Sequence, residues 1–135
     1  MDTNRCLACN KEIPGLSRNL IPRKYCNKFC NGRANFQKEN PRLGLPTSTV
    51  GSISELLVIS DLLRSGWYVY RSVTPNSPCD LVASRNEKTV SIEVKTGYRL
   101  RGKIINPLIR KTQKFDILAT VLLSDSTIIY KPPLP

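Results

Sequence analysis

Hydrophobic residues recur at helical spacing in the stretch that begins at Ile53, and they predict one long amphipathic helix. Leucine, isoleucine and valine fill most positions from Ile53 to Leu63, which gives a wide apolar face that can enter a core. Gly66 is placed to end this helix near residue 65. Ser52 and Glu55 stand in the order of a capping box, so the helix is expected to begin at Ile53 with Ser52 as its N-cap.

After Gly66 the hydrophobic pattern changes to alternation, which predicts strands. Turn-forming residues separate five such segments: 67–73, 79–84, 88–95, 115–123 and 127–130. Residues 96–114 lack a clear period, and a short helix is expected after Pro107. Asp116, at the start of the fourth segment, is expected to form a salt bridge. The order of elements predicts an α/β (α+β) fold with a mixed central sheet of about five strands, flanked by helices.

The third predicted strand has two chemically different faces. Alternation places Val90, Ile92 and Val94 on a face that can enter the core, and Glu93 and Lys95 on the other face. A carboxylate and an ammonium group two residues apart are also common on protein surfaces. The pattern therefore indicates a site only together with its neighbours.

The hairpin between the second and third strands supplies one such neighbour. If Asn86-Glu87 is a two-residue turn, Arg85 pairs with Lys88, and counting outward places Asp80 opposite Glu93. Two carboxylates facing each other across an antiparallel pair repel. A divalent cation that binds both oxygens would remove the repulsion, so we expect the two carboxylates to converge on a metal.

Composition narrows the choice of partner. The chain has 135 residues, of which 21 are basic and 10 acidic, for a formal charge of +11. This balance favours nucleic acid as the partner. No long apolar run or secretory leader is evident, which predicts a cytoplasmic protein that is not secreted and has no membrane partner. The chain has no histidine, which excludes His-based general bases, triads and HNH-type nuclease chemistry.

Four of the five cysteines lie in the first thirty residues as Cys6-x-x-Cys9 and Cys26-x-x-x-Cys30. Two close pairs with a long gap are typical of a structural Zn²⁺ site with four thiolates. Disulfides or unrelated core cysteines are the alternatives, and the lack of a leader argues against disulfides.

The cysteine pattern also suggests a domain division. We predict a zinc-binding module over residues 1–40, whose folding energy comes from the metal. A linker over residues 41–48 and a second domain over residues 49–135 follow.

Basic side chains in both parts suit contact with DNA phosphates. In the first module they are Arg18, Arg23, Lys24, Lys28, Arg33 and Lys38, and in the later connector they are Arg99, Arg101, Lys103, Arg110, Lys111 and Lys114. A solvated surface is the alternative for the connector, and a purely structural or dimerisation role is the alternative for the module.

Four phrases in order resemble the PD-(D/E)XK nuclease superfamily. They are Gly51-Ser52-Ile53-Ser54-Glu55, Gly66-Trp67-Tyr68-Val69, Cys79-Asp80-Leu81-Val82 and Ile92-Glu93-Val94-Lys95-Thr96-Gly97. The similarity extends over about residues 49–131 and is greatest to small phage and intron-type homing endonuclease domains and to Holliday junction resolvases. It implies a restriction-endonuclease-like core with the cysteine module appended to it, in a bacterial or phage-infected cell.

The resemblance also implies catalytic roles. Asp80, Glu93 and the carbonyl of Val94 would hold catalytic Mg²⁺ or Mn²⁺, and Lys95 would orient or deprotonate the attacking water. The resemblance makes Glu55 a further metal or water ligand, whereas the capping box explains it without catalysis. The two roles are compatible, and the sequence leaves both open.

The favoured function is a divalent-metal-dependent DNA endonuclease, site-specific and homing-type, whose zinc module aids DNA binding. A structure-specific nuclease such as a Holliday junction resolvase is one alternative. A non-catalytic zinc DNA-binding protein is the other. One active site cuts one strand, so double-strand cleavage would require a homodimer or successive nicks.

Overall fold

The computed structural model describes residues 4–13, 23–39, 44–106, 109 and 114–135. The chain divides into two compact units, one of Met1–Arg42 with Arg99–Gly102, the other of Leu43–Tyr98 with Lys103–Pro135. Arg18, Arg110, Lys111 and the short helix expected after Pro107 lie outside the described residues.

The N-terminal unit contains helix α1, Lys28–Glu39. Before it, Arg5 and Glu12 form an isolated antiparallel bridge. The N–H of Cys6 donates to the carbonyl of Lys11 at 2.8 Å, and Asn10 has a φ of 59°, a conformation that asparagine tolerates. The result is a tight turn that presents Cys6 and Cys9 together.

The larger unit has an α+β fold with a mixed five-stranded sheet, as the pattern of the sequence predicts. Helix α2, Thr47–Arg64, precedes β1, Tyr68–Arg71, β2, Leu81–Arg85, and β3, Lys88–Thr96. The elements β4, Tyr98–Leu100, β5, Lys103–Ile105, β6, Ile117–Leu122, and β7, Thr127–Lys131, follow. The sheet order is β1-β2-β3-β6-β7, and β3 pairs with β6 in parallel while the other pairs are antiparallel.

The core forms between α2 and one face of this sheet. Val58 and Leu62 of α2 are fully buried in one cluster with Ile92 and Val94 of β3, so the predicted apolar face of β3 is confirmed. Every residue of β6 is buried, as expected for a central strand in a parallel pair. Neither described helix combines the length and apolar character needed to cross a membrane.

The predicted start of α2 is wrong. The helix begins at Thr47, with Pro46 at the N-cap position and no side-chain cap, and the N–H of Val50 donates to the carbonyl of Pro46 at 3.0 Å. Ser52 therefore lies inside the helix and caps nothing, and the last two residues of the predicted linker are helical. The φ of −58° at Pro46 suits a chain that enters a helix. Packing of α2 against the sheet overrides the weak helix propensity of the Thr and Ser residues.

The predicted hairpin register is confirmed. Asn86 and Glu87 have φ of 49° and 63°, the left-handed pair that a two-residue type I′ turn requires. Arg85 pairs with Lys88, and the ladder runs to Leu81 opposite Ile92.

Two local structures differ from expectation. Strands β4 and β5 form a separate two-stranded sheet within the segment that shows no clear period, and Arg101 and Gly102 between them have φ of 49° and 76°. The carboxylate of Asp116 accepts hydrogen bonds from the N–H of Ser91 at 2.8 Å and its hydroxyl at 2.9 Å. Asp116 thus ties β6 to β3 by hydrogen bonds, not by the expected salt bridge.

Candidate active site and metal centre

The candidate active site lies where β3 extends beyond the end of its partner strand β2. The β2–β3 ladder stops at Leu81 opposite Ile92, whereas β3 continues to Thr96 and pairs with β6 along this extension. Within the described part of the chain, residues 93–96 thus pair with a strand on one side only. The side facing away from β6 is open to a cleft.

Asp80 fills part of this gap with its side chain. Its N–H donates to the carbonyl of Ile92 at 3.1 Å, and its Oδ2 accepts the N–H of Val94 at 2.8 Å. A side-chain carboxylate therefore takes the place that a strand carbonyl would occupy. This bond fixes the Asp80 carboxylate beside the backbone that joins Glu93 to Val94.

Glu93 and Lys95 form an ion pair on β3. The Glu93 side chain is 3% exposed, and that of Lys95 is 24% exposed. A nearly buried carboxylate requires a positive partner, and Lys95 supplies it while keeping part of its side chain in the cleft.

Glu55 reaches the same region from α2. Its Oε2 accepts from Nε and Nη2 of Arg71, each at 2.8 Å. Glu55 lies well inside α2, so the capping role is wrong and its carboxylate is engaged by β1. Arg71 pairs with Leu81, the residue that follows Asp80, and Arg71 and Asp80 line the same cleft.

Two adjoining clefts, each of about 330 Å³, have Glu55 and Asp80 in common. Lys95 lines one of them together with Val94. Arg71 and Cys79 line the other. Glu55, Asp80 and Lys95 thus line one opening. The nearly buried Glu93 is connected to this opening by its ion pair with Lys95.

The pKa of the Cys79 thiol is affected by the negative charge of this region. Burial raises the pKa of its thiol, and the negative charges of Asp80 and Glu93 raise it further. The thiol therefore stays protonated and neutral beside the carboxylates. At 8% exposure, its side chain packs into the core.

The sequence reasoning missed two contributions to the site. Arg71 is one, and only the alternation of β1 with its strand partner could have indicated it. The other is the hydrogen bond between the hydroxyls of Ser54 and Thr96 at 2.7 Å. Ser54 is 1% exposed, and this bond anchors α2 to the end of β3, which positions Glu55 relative to Lys95.

The four N-terminal cysteines come together in the other unit. Their Sγ atoms all lie within 4.8 Å of one another, with Cys9 and Cys26 at 3.6 Å and Cys26 and Cys30 at 3.5 Å. Four sulfurs at about 2.3 Å from a tetrahedral ion lie about 3.8 Å apart. The arrangement is therefore suited to hold one metal ion and is consistent with zinc.

The crowded thiols perturb each other's ionisation. A hydrogen bond with Cys26 is the main cause that raises the pKa of Cys30 to about 12, with burial adding to it. For Cys6, burial raises the pKa, but backbone N–H groups, with that of Cys26 first, outweigh it and lower the pKa to about 6. Bringing four thiolates together thus requires a cation, which is the charge a bound metal supplies.

The described basic residues predicted to contact DNA lie at the surface. Arg23, Lys24, Lys28, Arg33, Lys38, Arg101, Lys103 and Lys114 are exposed, and Arg99 is half-buried. Each can present charge to a polyanion.

Comparisons with known proteins identify a structural relative. No family model and no curated protein matches the sequence. Among solved structures, the fold is similar to that of a bacterial homing endonuclease, I-Ssp6803I, with a TM-score of 0.57 and 18% sequence identity. The similarity covers 63% of this chain, and it spans 64% of that chain. At this identity the comparison shows a shared fold.

Proposed function

We propose that this protein is a divalent-metal-dependent DNA endonuclease of the PD-(D/E)XK type. The observation that carries the proposal is the convergence of Glu55, Asp80 and Lys95 on one opening, with Glu93 paired to Lys95. The fold shared with a homing endonuclease and the charge of +11 support it. Because the similar structure is that of a homing endonuclease, we further propose that cleavage is site-specific. We propose the cytoplasm as the place of action, where DNA is accessible.

Asp80, Glu93 and the carbonyl of Val94 would hold Mg²⁺ or Mn²⁺, since these ions prefer oxygen ligands. When bound, the ion would activate a water molecule and offset charge on the phosphate. Asp80 is already fixed by the N–H of Val94, so one ligand is held in place before any ion arrives. That the carboxylates of Asp80 and Glu93 converge on one metal ion stays a prediction.

Lys95 and Glu55 act on either side of these ligands. The ammonium of Lys95, which is paired with Glu93, would orient the attacking water and stabilise negative charge on the phosphate in the transition state. The carboxylate of Glu55 would bind a further water or the ion itself, and Arg71 holds it in place until then.

We propose zinc as the ion of the cysteine centre, held by Cys6, Cys9, Cys26 and Cys30. A closed site with four thiolates is structural, so its role is to stabilise the N-terminal module. The domain division that follows is a zinc module over 1–40, a connection over 41–48 and a nuclease domain over 49–135. The exposed basic residues of both would contact phosphates.

Incubation with supercoiled DNA tests the nuclease proposal. We expect cutting with Mg²⁺ or Mn²⁺, none with EDTA, and binding with little cutting in Ca²⁺. Asp80→Asn should abolish cutting while binding at low salt survives, because affinity comes mainly from counterion release. The asparagine oxygen can still accept from Val94, so the fold is preserved.

Glu87→Gln is the matched control, since it removes a carboxylate from the exposed turn at the other end of the same hairpin. Asp80→Asn cutting at the rate of the control would refute the proposal and leave a non-catalytic DNA-binding protein. Preferential cutting of a mobile four-way junction without sequence preference would favour a structure-specific nuclease.

A further inference from the structure

Helix α1 carries an exposed polar face that folding of its own unit does not explain. Asn31 and Asn35 are exposed and lie one turn apart, where Nδ2 of Asn35 donates to Oδ1 of Asn31 at 3.3 Å. Gly32 lies beside them, and the exposed Lys28 and Lys38 lie at the two ends. At about 100° per residue these five residues share one side of the helix, which we name the α1 polar face.

These residue types weaken the helix that carries them. Asparagine and glycine in a helix interior are less stable than alanine. Asn27 has a structural reason, because its Oδ1 accepts the N–H of Cys30 at 2.9 Å and caps the helix. At Gly32, a Cβ would meet no described atom within 4 Å, so packing within the described chain does not require a glycine there. Close approach of another molecule to the backbone would require one.

We propose that the α1 polar face reads base edges in the major groove of duplex DNA. The side chain of asparagine can bind adenine through N6 and N7 together, which assigns Asn31 and Asn35 to adenines. The lysines at the two ends would contact phosphates on either side of the groove. From Lys28 to Lys38 the helix spans about 15 Å, or about four base pairs at 3.4 Å each.

The surroundings of α1 fit this partner. The four-cysteine cluster includes Cys26, which precedes the helix, and Cys30 in its first turn, so the proposed zinc ion would give the face a rigid base. Residues 23–38 contain five basic and no acidic residues, so the segment complements a polyanion. Double-stranded RNA is not the expected partner, because its major groove is too narrow for a helix. The inference rests on the proposed binding of DNA, but it does not depend on cleavage.

Selection of bound sequences from a library of duplexes with randomised centres tests the inference. The full-length, zinc-loaded protein is used in Ca²⁺, so that binding is measured without cutting. We expect the selected sequences to contain adenines at fixed positions. Asn35→Ala should lose the preference at one of them and bind the selected duplex about tenfold more weakly, with unselected duplex bound as before. Replacing that adenine by 7-deazaadenine should weaken binding by the wild type and leave binding by Asn35→Ala unchanged.

Gly32→Ala separates recognition from stability. If the face is only solvated surface, the alanine should raise the melting temperature and leave DNA binding unchanged, which would overturn the proposal. If the face enters the groove, the melting temperature should rise while affinity for the selected duplex falls. Arg33, about 160° around the helix from Asn35, is the control, because Arg33→Ala should change affinity for all duplexes alike.

Two results tell this inference apart from the proposed nuclease. Failure of Asn31→Ala and Asn35→Ala to change the selected sequences would overturn the reading role while cutting of supercoiled DNA stands. If Asn31→Ala and Asn35→Ala lose the adenine preference but the wild type never cuts DNA, the reading role is supported and the nuclease is refuted. Equal binding of single-stranded or double-stranded RNA by the same face would also overturn it.

Discussion

Glu93→Gln is the sharpest test of the candidate active site, because it removes a charge and keeps the shape of the side chain. Glutamine has the same length and still offers an oxygen to the ammonium of Lys95. A hydrogen bond to a charged group contributes about 1.5–3 kcal/mol. The bond from Lys95 to the glutamine oxygen stays in this class, because the ammonium keeps its charge, but it moves from the upper toward the lower end of the range. The substitution therefore costs about 1 kcal/mol in this contact.

The burial of Glu93 partly offsets that cost. Its side chain is 3% exposed, and a buried carboxylate pays a desolvation penalty that glutamine avoids. We expect the free energy of unfolding without metal to change by about 1 kcal/mol or less. Catalysis should change far more, because loss of a metal ligand should slow cutting by about a hundredfold or more.

Urea unfolding and nicking assays on the same preparations separate the two effects. Trp67, the single tryptophan, is 3% exposed in the core, and its fluorescence reports unfolding of the larger unit. Saturating Mn²⁺ at a hundred times its dissociation constant should stabilise the wild type by about 2.7 kcal/mol and Glu93→Gln by clearly less. Cutting within about threefold of wild type, or a loss of stability above about 3 kcal/mol, would show that Glu93 is structural and refute the reasoning.

Three further predictions address the other centres. Cys30→Ser should lose the bound metal by elemental analysis and unfold the N-terminal unit, while urea unfolding reported by Trp67 stays unchanged; zinc retained at one ion per chain would count against the centre. Glu55→Gln should cost at most about 1 kcal/mol, because its pair with Arg71 is half-exposed, and it should abolish cutting; full activity would assign Glu55 to the ion pair alone. Hydrogen bonds from Ser91, mainly from its N–H and next from its hydroxyl, lower the pKa of Asp116. The charged form of Asp116 therefore stabilises the fold above its unfolded pKa of about 3.9, and this stabilisation is lost as pH falls through the folded pKa. Urea midpoints of Asp116→Asn should be lower than those of wild type at neutral pH and converge with them in acid, and parallel pH profiles would contradict this.

Much of the sheet is predictable because its signals are local. Alternation in β3 and the turn at Asn86-Glu87 are enough to give the β2–β3 register, since a slip of one residue would turn Ile92 and Val94 out of the core. The same register places Asp80 at the end of the ladder. The prediction of a site near Asp80 and Glu93 thus follows from two local signals: side chains that alternate every second residue in β3, and a two-residue turn at Asn86-Glu87.

The features that sequence reasoning missed depend on tertiary contacts. The first turn of α2 reads as a loop because Thr47 and its neighbours favour turns. These residues are exposed, and they are helical because they extend a helix whose later turns pack on the sheet. Strands β4 and β5 have three residues each, which is too short for a period to show. Arg71 enters the site through its pairing with Leu81, and that partner is set by the sheet as a whole.

The charge around the cleft gives the proposed cation a role in attracting the substrate as well as in the chemistry. Glu55, Asp80 and Glu93 contribute three negative charges, and Lys95 and Arg71 contribute two positive ones. The sum is −1 in a chain of formal charge +11, so a DNA phosphate would be repelled at the one place where the proposed reaction needs it. A divalent cation would change the local sum to +1, and a single phosphodiester would then bring it to zero. In the proposed nuclease, a bound divalent cation would thus make the cleft attractive to the phosphate as well as assist cleavage. Arg71 balances the charge of Glu55 through their ion pair.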